Sequence, residues 1–153
     1  MGHKLAVAVG AFVVYGVAQG WHGHLLPAAA SSSPAAAQAV AYAQAHLGDP
    51  YVWGAAGPGS FDCSGLTMEA YSGSIPRTSE AQWAALRHVS GRHLKPGDLV
   101  FSYWNVDNQA APNHVQIYVG GGDVIGADTV NVEQTPLSAD AGHIVGFARP
   151  GGG

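Results

Sequence analysis

Segments with strong helical signals precede segments with strong strand signals, and this order constrains the fold more than any other feature of the sequence. Three helices are predicted, over residues 35–47, 63–72 and a third that starts within 76–80 and continues to 86. Five strands are predicted after them, over residues 98–103, 114–119, 123–127, 130–133 and 144–148. Helices and strands that are separated along the chain usually pack as separate layers, so we predict an α+β fold with an antiparallel sheet.

Local signals support several of these boundaries. Ser33 is a good N-cap and Pro34 suits the first helical turn, so the folded domain should begin there. Gly48 fits the C′ position after the first helix. The glycines at 120–122 predict a tight connection between two strands.

The composition indicates one globular domain and excludes some partners. The chain has 153 residues, of which 47% are hydrophobic and 10% charged, with a net charge of −4. It is too apolar for a disordered chain, and its length suits one domain. The basic residues form no cluster, so we expect no nucleic-acid partner and no binding to an anionic membrane surface.

The N-terminal segment, 1–30, has the pattern of a targeting signal. Lys4 is followed by an uncharged stretch over 5–18, which fits the apolar region of a signal peptide and is short for a membrane span. Small residues over 27–31 resemble a cleavage site. A cleaved signal peptide, an uncleaved N-terminal membrane anchor and an ordinary buried helix all remain open for this segment. The rest of the sequence, 31–153, is predicted to form one domain.

Cys63 is the only cysteine of the chain, so it has no partner for an internal disulfide. It follows a loop rich in glycine and proline, over 54–60, at the start of a predicted helix. Unpaired backbone N–H groups at a helix start stabilise a thiolate, which is the nucleophilic form of cysteine. We therefore predict that Cys63 is a nucleophile. The alternative is a buried and inert cysteine.

His114 opens an apolar predicted strand and is the candidate general base for Cys63. His22 and His24 have no third ligand nearby, so we assign no metal. The glycine-rich stretches lack both a P-loop lysine and a dinucleotide fingerprint, so we assign no cofactor.

Five short motifs occur in an order that resembles the NlpC/P60 family of bacterial cell-wall cysteine peptidases. They are YVWG at 51–54, FDCSGL at 61–66, IPRTS at 75–79, KPGDLVF at 95–101 and HVQIYVG at 114–120. The resemblance covers residues 36–150. It implies a papain-like fold with the nucleophile-bearing helix packed on the sheet. It also implies hydrolysis of peptidoglycan stem peptides, usually between D-γ-glutamyl and a diamino acid. We expect a secreted or wall-bound monomer, or one anchored to the membrane and facing outward.

The resemblance also assigns roles around the nucleophile. Family members orient the base with a polar side chain at a position that Gly126 occupies here, which departs from the pattern. Asp128 lies on the same face of the predicted strand and is our candidate for the third catalytic residue, with water or a backbone carbonyl as the alternative. Candidates for substrate binding, with helix capping or a surface position as the alternative, are Tyr51, Asp62, Ser64 and Arg77. Trp53 and Trp83 are interpreted as core residues.

Two other functions fit the sequence. One is an amidase or acyltransferase that uses the same nucleophile with another acceptor. The other is a wall-binding domain with weak catalysis, which the glycine at 126 keeps open. The bond cleaved, and whether the wall attacked is the cell's own or foreign, are also open.

Overall fold

The structure is a computed structural model that describes residues 32–104 and 111–151. The predicted signal or anchor segment, 1–30, lies outside them. The described helices are α1 (Pro34–Ala45), α2 (Cys63–Ala70) and α3 (Ser79–Ala85). The described strands are β1 (Arg87–Val89), β2 (Leu99–Ser102), β3 (His114–Gly120), β4 (Asp123–Ala127), β5 (Val132–Pro136) and β6 (Ile144–Arg149). No helix within this part of the chain is long and apolar enough to cross a membrane.

The strands form one antiparallel sheet in the order β1-β6-β2-β3-β4-β5. Strands β2 to β5 follow one another as a meander, and β6 returns to the other side of β2. The predicted α+β class with an antiparallel sheet is therefore confirmed. Ser102 at the end of β2 pairs with His114 at the start of β3, so the candidate base lies at one end of the central strands.

Side-chain caps fix where the helices begin. The Ser33 hydroxyl accepts a hydrogen bond from the Ala36 N–H at 3.2 Å, and Pro34 is the first helical residue, as predicted. Thr78 caps α3 in the same way. The first helix ends earlier than predicted, with His46 as its C-cap, so Gly48 lies one position beyond C′ and has a φ of +91°.

The core lies between the helices and one face of the sheet. Alanines 36, 39 and 43 form the buried stripe of α1, and their small side chains let that helix pack closely on α2. Leu66 and Ala70 of α2 pack into the same cluster as Val115 and Ile117 of β3. Burial of this apolar surface fixes α2 against the sheet, and it thereby brings the start of α2 close to the start of β3.

One strand begins later than predicted, and another strand is present where none is predicted. The strand predicted over 130–133 begins at Val132, since Val130 is 77% exposed and Asn131 forms only an isolated bridge with Pro50. Strand β1 was not predicted because its three residues are at most half-buried and show no apolar alternation. It pairs with β6 at one edge of the sheet.

Candidate active site

A cleft of about 820 Å³ opens between the start of α2, the start of β3 and the last residue of β4. Every residue that the sequence singled out for catalysis or binding lines this cleft, namely Cys63, His114, Asp128, Tyr51, Asp62, Ser64 and Arg77. Their separation along the chain is large, so the packing of α2 on the sheet is what assembles them.

Cys63 is the first residue of α2 and is partly exposed to the cleft. Asp62, the N-cap, accepts a hydrogen bond from the Gly65 N–H at 2.6 Å. The cap thus satisfies the third N–H of the helix and leaves the N–H groups of Cys63 and Ser64 at its first two positions. Such groups at a helix start favour negative charge, both on a thiolate and on an oxyanion beside it.

His114 is almost fully buried, with 4% of its surface exposed, and contacts Cys63 through its side chain. Burial lowers the pKa of His114. The close contacts with Asp128 and Cys63, and the negative charge of both groups, outweigh burial and raise that pKa from 6.5 to about 9. The site therefore favours the imidazolium form beside the sulfur.

Asp128 lies behind the imidazole, where its Oδ1 atom is 2.9 Å from Nε2 of His114. The distance is that of an ion pair, but the ring N–H is not aimed directly at the oxygen, so the contact is not an aligned hydrogen bond. Contacts of this kind often tighten only when substrate binds. Because Nε2 faces Asp128, Nδ1 is the ring nitrogen left for the sulfur.

Asp62 and Arg77 form a bidentate ion pair on the wall of the cleft. Nη1 of Arg77 donates to Oδ1 of Asp62 at 2.9 Å, and Nη2 donates to Oδ2 at 2.7 Å. Nη1 also donates to the Ser64 hydroxyl at 3.0 Å, and Asp62 accepts a further bond from the Gly54 N–H. The pKa of Arg77 is raised chiefly by its hydrogen bond with Asp62. The carboxylate of Asp62 thus ties the loop before the helix to the helix start and to Arg77.

Gly65 allows that loop to approach the helix. A Cβ atom at this position would collide with the backbone oxygen of Ala55 and would lie 2.9 Å from Oδ1 of Asp62. The Asp62 N–H donates to the same Ala55 oxygen at 2.8 Å. A glycine two residues after Cys63 is therefore needed for the loop and the helix start to lie this close.

Aromatic side chains surround the cleft. The structure contradicts the interpretation of Trp53 as a core residue, since Trp53 is 87% exposed and lines the opening. Trp83, in contrast, packs against the core and stacks on His88. Trp104 contacts the His114 ring edge-to-face, with centroids 4.8 Å apart. Burial and the nearby charges of Cys63 and Asp62 raise the pKa of Tyr51.

Sequence reasoning placed the loop that begins at Trp104 near the site, but it singled out none of several other residues there as functional. Glu80 and Trp104 line the cleft, but neither belongs to a local pattern that distinguishes it from surface residues. Gln116 is buried in β3, the strand that His114 opens. Strand alternation would have found it, because Gln116 follows His114 by one full period and shares its face of β3.

The arrangement offers a thiol, an imidazole and a carboxylate in contact, at a helix start and open to solvent on one side. These are the groups that nucleophilic attack on an acyl carbon requires. Among the described residues, no group of three histidine, cysteine or acidic side chains is placed to hold a metal ion.

Comparison with known proteins gives consistent matches. The model of the NlpC/P60 family matches residues 48–143. The chain is 43% identical over 115 residues to the probable endopeptidase p60 of Listeria monocytogenes, covering 72% of this chain and 23% of that protein. It is 47% identical over 116 residues to the probable endopeptidase Cgl2188 of Corynebacterium glutamicum, covering 72% of this chain and 51% of that one. It thus spans from under a quarter to about half of these relatives. The crystal structure of the NlpC/p60 domain of the peptidoglycan hydrolase SagA superposes with a TM-score of 0.65 at 30% identity, covering 75% of this chain and 98% of that one.

Proposed function

The chain belongs to the NlpC/P60 family, and from this premise we propose that it is a cysteine peptidase that hydrolyses peptidoglycan stem peptides. The observation that supports the proposal most is the contact of the Cys63 and His114 side chains inside an open cleft, with Asp128 against the far side of the imidazole. A merely structural cysteine would have no need of a buried base, a carboxylate behind it and solvent access.

The reaction follows from these positions. His114 takes the thiol proton of Cys63, and the thiolate attacks the carbonyl carbon of the scissile amide. The resulting oxyanion lies next to the N–H groups at the start of α2, that of Cys63 included. His114 then gives its proton to the leaving amine, and a thioester remains on the sulfur. Water, deprotonated by His114, attacks the thioester and releases the carboxylic acid and the thiol.

Asp128 holds the imidazole in this scheme. Its negative charge stabilises the imidazolium that forms when the thiol ionises, and its contact with Nε2 fixes which ring nitrogen exchanges the proton. An active role for Asp128 argues against a catalytically weak domain, since the glycine at 126 does not leave the base without a partner. We propose that the other predicted site residues contact the peptide or position residues that contact it. They are Tyr51, Asp62, Ser64 and Arg77.

For the bond itself, we propose the amide between D-γ-glutamyl and a diamino acid, as the family resemblance implies. The names of the relatives support an endopeptidase, and that of SagA supports a peptidoglycan substrate. Such a substrate lies outside the cytoplasm. We therefore propose that the chain acts in the cell wall or is secreted, and that 1–30 exports it as a cleaved signal or holds it as an anchor.

Digestion of purified peptidoglycan by the wild type and by Cys63→Ala, followed by mass analysis, tests the proposal. Hydrolysis should release fragments with a new free amine on the diamino acid and a new carboxyl group on glutamate, and Cys63→Ala should release none. A new amide to an added amine, with no free acid, would instead identify an acyltransferase. Equal activity of both proteins would contradict any role of the thiol.

A further inference from the structure

A second buried polar side chain lies two residues along β3 from the candidate base. Gln116 follows His114 on the same face of β3 and is only 2% exposed. Its Oε1 atom has no hydrogen-bond partner among the described residues. A buried polar atom without a partner costs free energy, so its position calls for a reason beyond packing.

The space that Gln116 fills exists because residue 126 is glycine. The pairing of Ile117 with Ile125 places Gly126 across from Gln116 on the neighbouring strand. A Cβ atom at 126 would lie 2.6 Å from Cγ of Gln116, closer than real Cβ atoms come to any neighbour. Cγ is near the backbone and has little freedom to move aside. Gly126 does not have a positive φ, so the glycine is required for space rather than for conformation.

Asp128 uses the same space. The Cβ atom at 126 would lie 3.3 Å from Oδ1 of Asp128, the oxygen that contacts His114, and 3.3 Å from Nε2 of Gln116. Contacts this tight require the neighbour to give way. A side chain at 126 would therefore push on Gln116 and, directly or through Gln116, on the carboxylate behind the base.

We propose that Gly126 is a positioning residue whose missing side chain leaves room for Gln116 and for the Asp128 carboxylate to reach His114. This inference rests on the proposed function, in which Asp128 holds the base. Position 126 therefore lacks a side chain because the neighbouring side chains need its space. The third member of the site has moved to 128, and the missing side chain at 126 leaves room for it beside Gln116.

The experiment compares Gly126→Ala with the double variant Gly126→Ala/Gln116→Ala, which removes the Cγ atom that the new methyl group meets. Gly142→Ala is the matched control, since a Cβ atom there meets nothing within 4 Å. Two readouts are measured on the full chain. The first is the titration of His114 by NMR, which needs no substrate. The second is kcat, KM and their pH dependence for peptidoglycan fragments.

We expect Gly126→Ala to lower kcat about 10- to 100-fold with little change in KM, in line with losses of supporting contacts. The titration of His114 should move to lower pH because Asp128 is displaced. The double variant should recover most of both, and Gly142→Ala should match the wild type. A wild-type titration and kcat in Gly126→Ala would overturn the proposal. The proposal would also be overturned by a double variant that folds but in which His114 titrates at the same pH as in Asp128→Ala.

If Gly126→Ala does not fold, the double variant still tests the proposal, because it has no Cγ atom at 116 for the new methyl group to meet. Failure of the proposed function would look different. The wild type would then hydrolyse no stem peptide, while His114 would still titrate at lower pH in Gly126→Ala than in the wild type.

Discussion

Nε2 of His114 and Oδ1 of Asp128 lie 2.9 Å apart, in side chains that are 6% and 12% exposed. The pair is largely shielded from water, so the carboxylate acts on the imidazole at low local dielectric. His114 opens β3 and Asp128 directly follows the last residue of β4, so the β3–β4 hairpin brings the two side chains together.

Replacement of Asp128 should impair catalysis more than binding. Asp128→Ala is expected to lower kcat about 10- to 1000-fold, because supporting groups of a catalytic base contribute in this range. The alkaline limb of the kcat/KM profile should move to lower pH, since His114 loses the contact that raises its pKa. Asp123→Asn is the matched control, as Asp123 lies at the other end of β4 and its carboxylate accepts a hydrogen bond from the exposed Gln134. Unchanged turnover in Asp128→Ala would show that another group holds the imidazole.

The stability of the fold should depend on pH through His114. Its folded pKa is raised from 6.5 to about 9, so the protonated imidazole stabilises the folded state. That contribution is fully present below pH 6.5 and is lost as pH rises through 9. Urea unfolding between pH 6 and 10 should therefore show a decline in the unfolding free energy of the wild type. His114→Gln should lack this decline, and an identical pH dependence of the two proteins would count against the raised pKa.

Much of the fold follows from local signals. Helix caps and apolar periodicity act locally, so they predict the correct element types. Examples are the start of α1 at Ser33 and Pro34 and the hydrophobic strands over 99–102 and 114–120. The exposed edge strand β1 has no such signal. The role of Trp53 was interpreted wrongly because residue type alone does not say whether an indole lies in a core or at a cleft. The space shared by Gly126, Gln116 and Asp128 depends on pairing between two strands, and no local pattern encodes it.

Asp62 should contribute both to stability and to activity. Asp62→Ala removes the cap of α2 and leaves Arg77 without its bidentate partner, so unfolding should become easier by about 1–2 kcal/mol. Turnover should fall as well, because the same carboxylate seats Cys63. Ser33→Ala is the control, since it removes the cap of α1, far from the cleft along the chain. It should cost about 1 kcal/mol and leave kcat/KM unchanged. Equal kcat/KM in both variants would exclude a role of Asp62 in the site.

Trp53 should act on the substrate rather than on the fold. Its indole is 87% exposed at the cleft, so Trp53→Ala should change the unfolding free energy by less than about 0.5 kcal/mol. KM for stem peptides should rise about fivefold, the equivalent of roughly 1 kcal/mol of contact, with kcat retained. Trp83→Ala is the comparison variant, because it should act on the stability of the fold. Trp83 packs on the core, and its loss should cost on the order of 2–4 kcal/mol.

The pH dependence of Cys63 alkylation by iodoacetamide tests the pairing of sulfur and imidazole most directly. Cys63 is the only cysteine, so mass spectrometry reads its modification without ambiguity. The wild type should react rapidly at pH 6–7, because the imidazolium of His114 lies against the sulfur, and His114→Ala should react at least about tenfold more slowly there. Equal rates in the two proteins across this range would contradict the account.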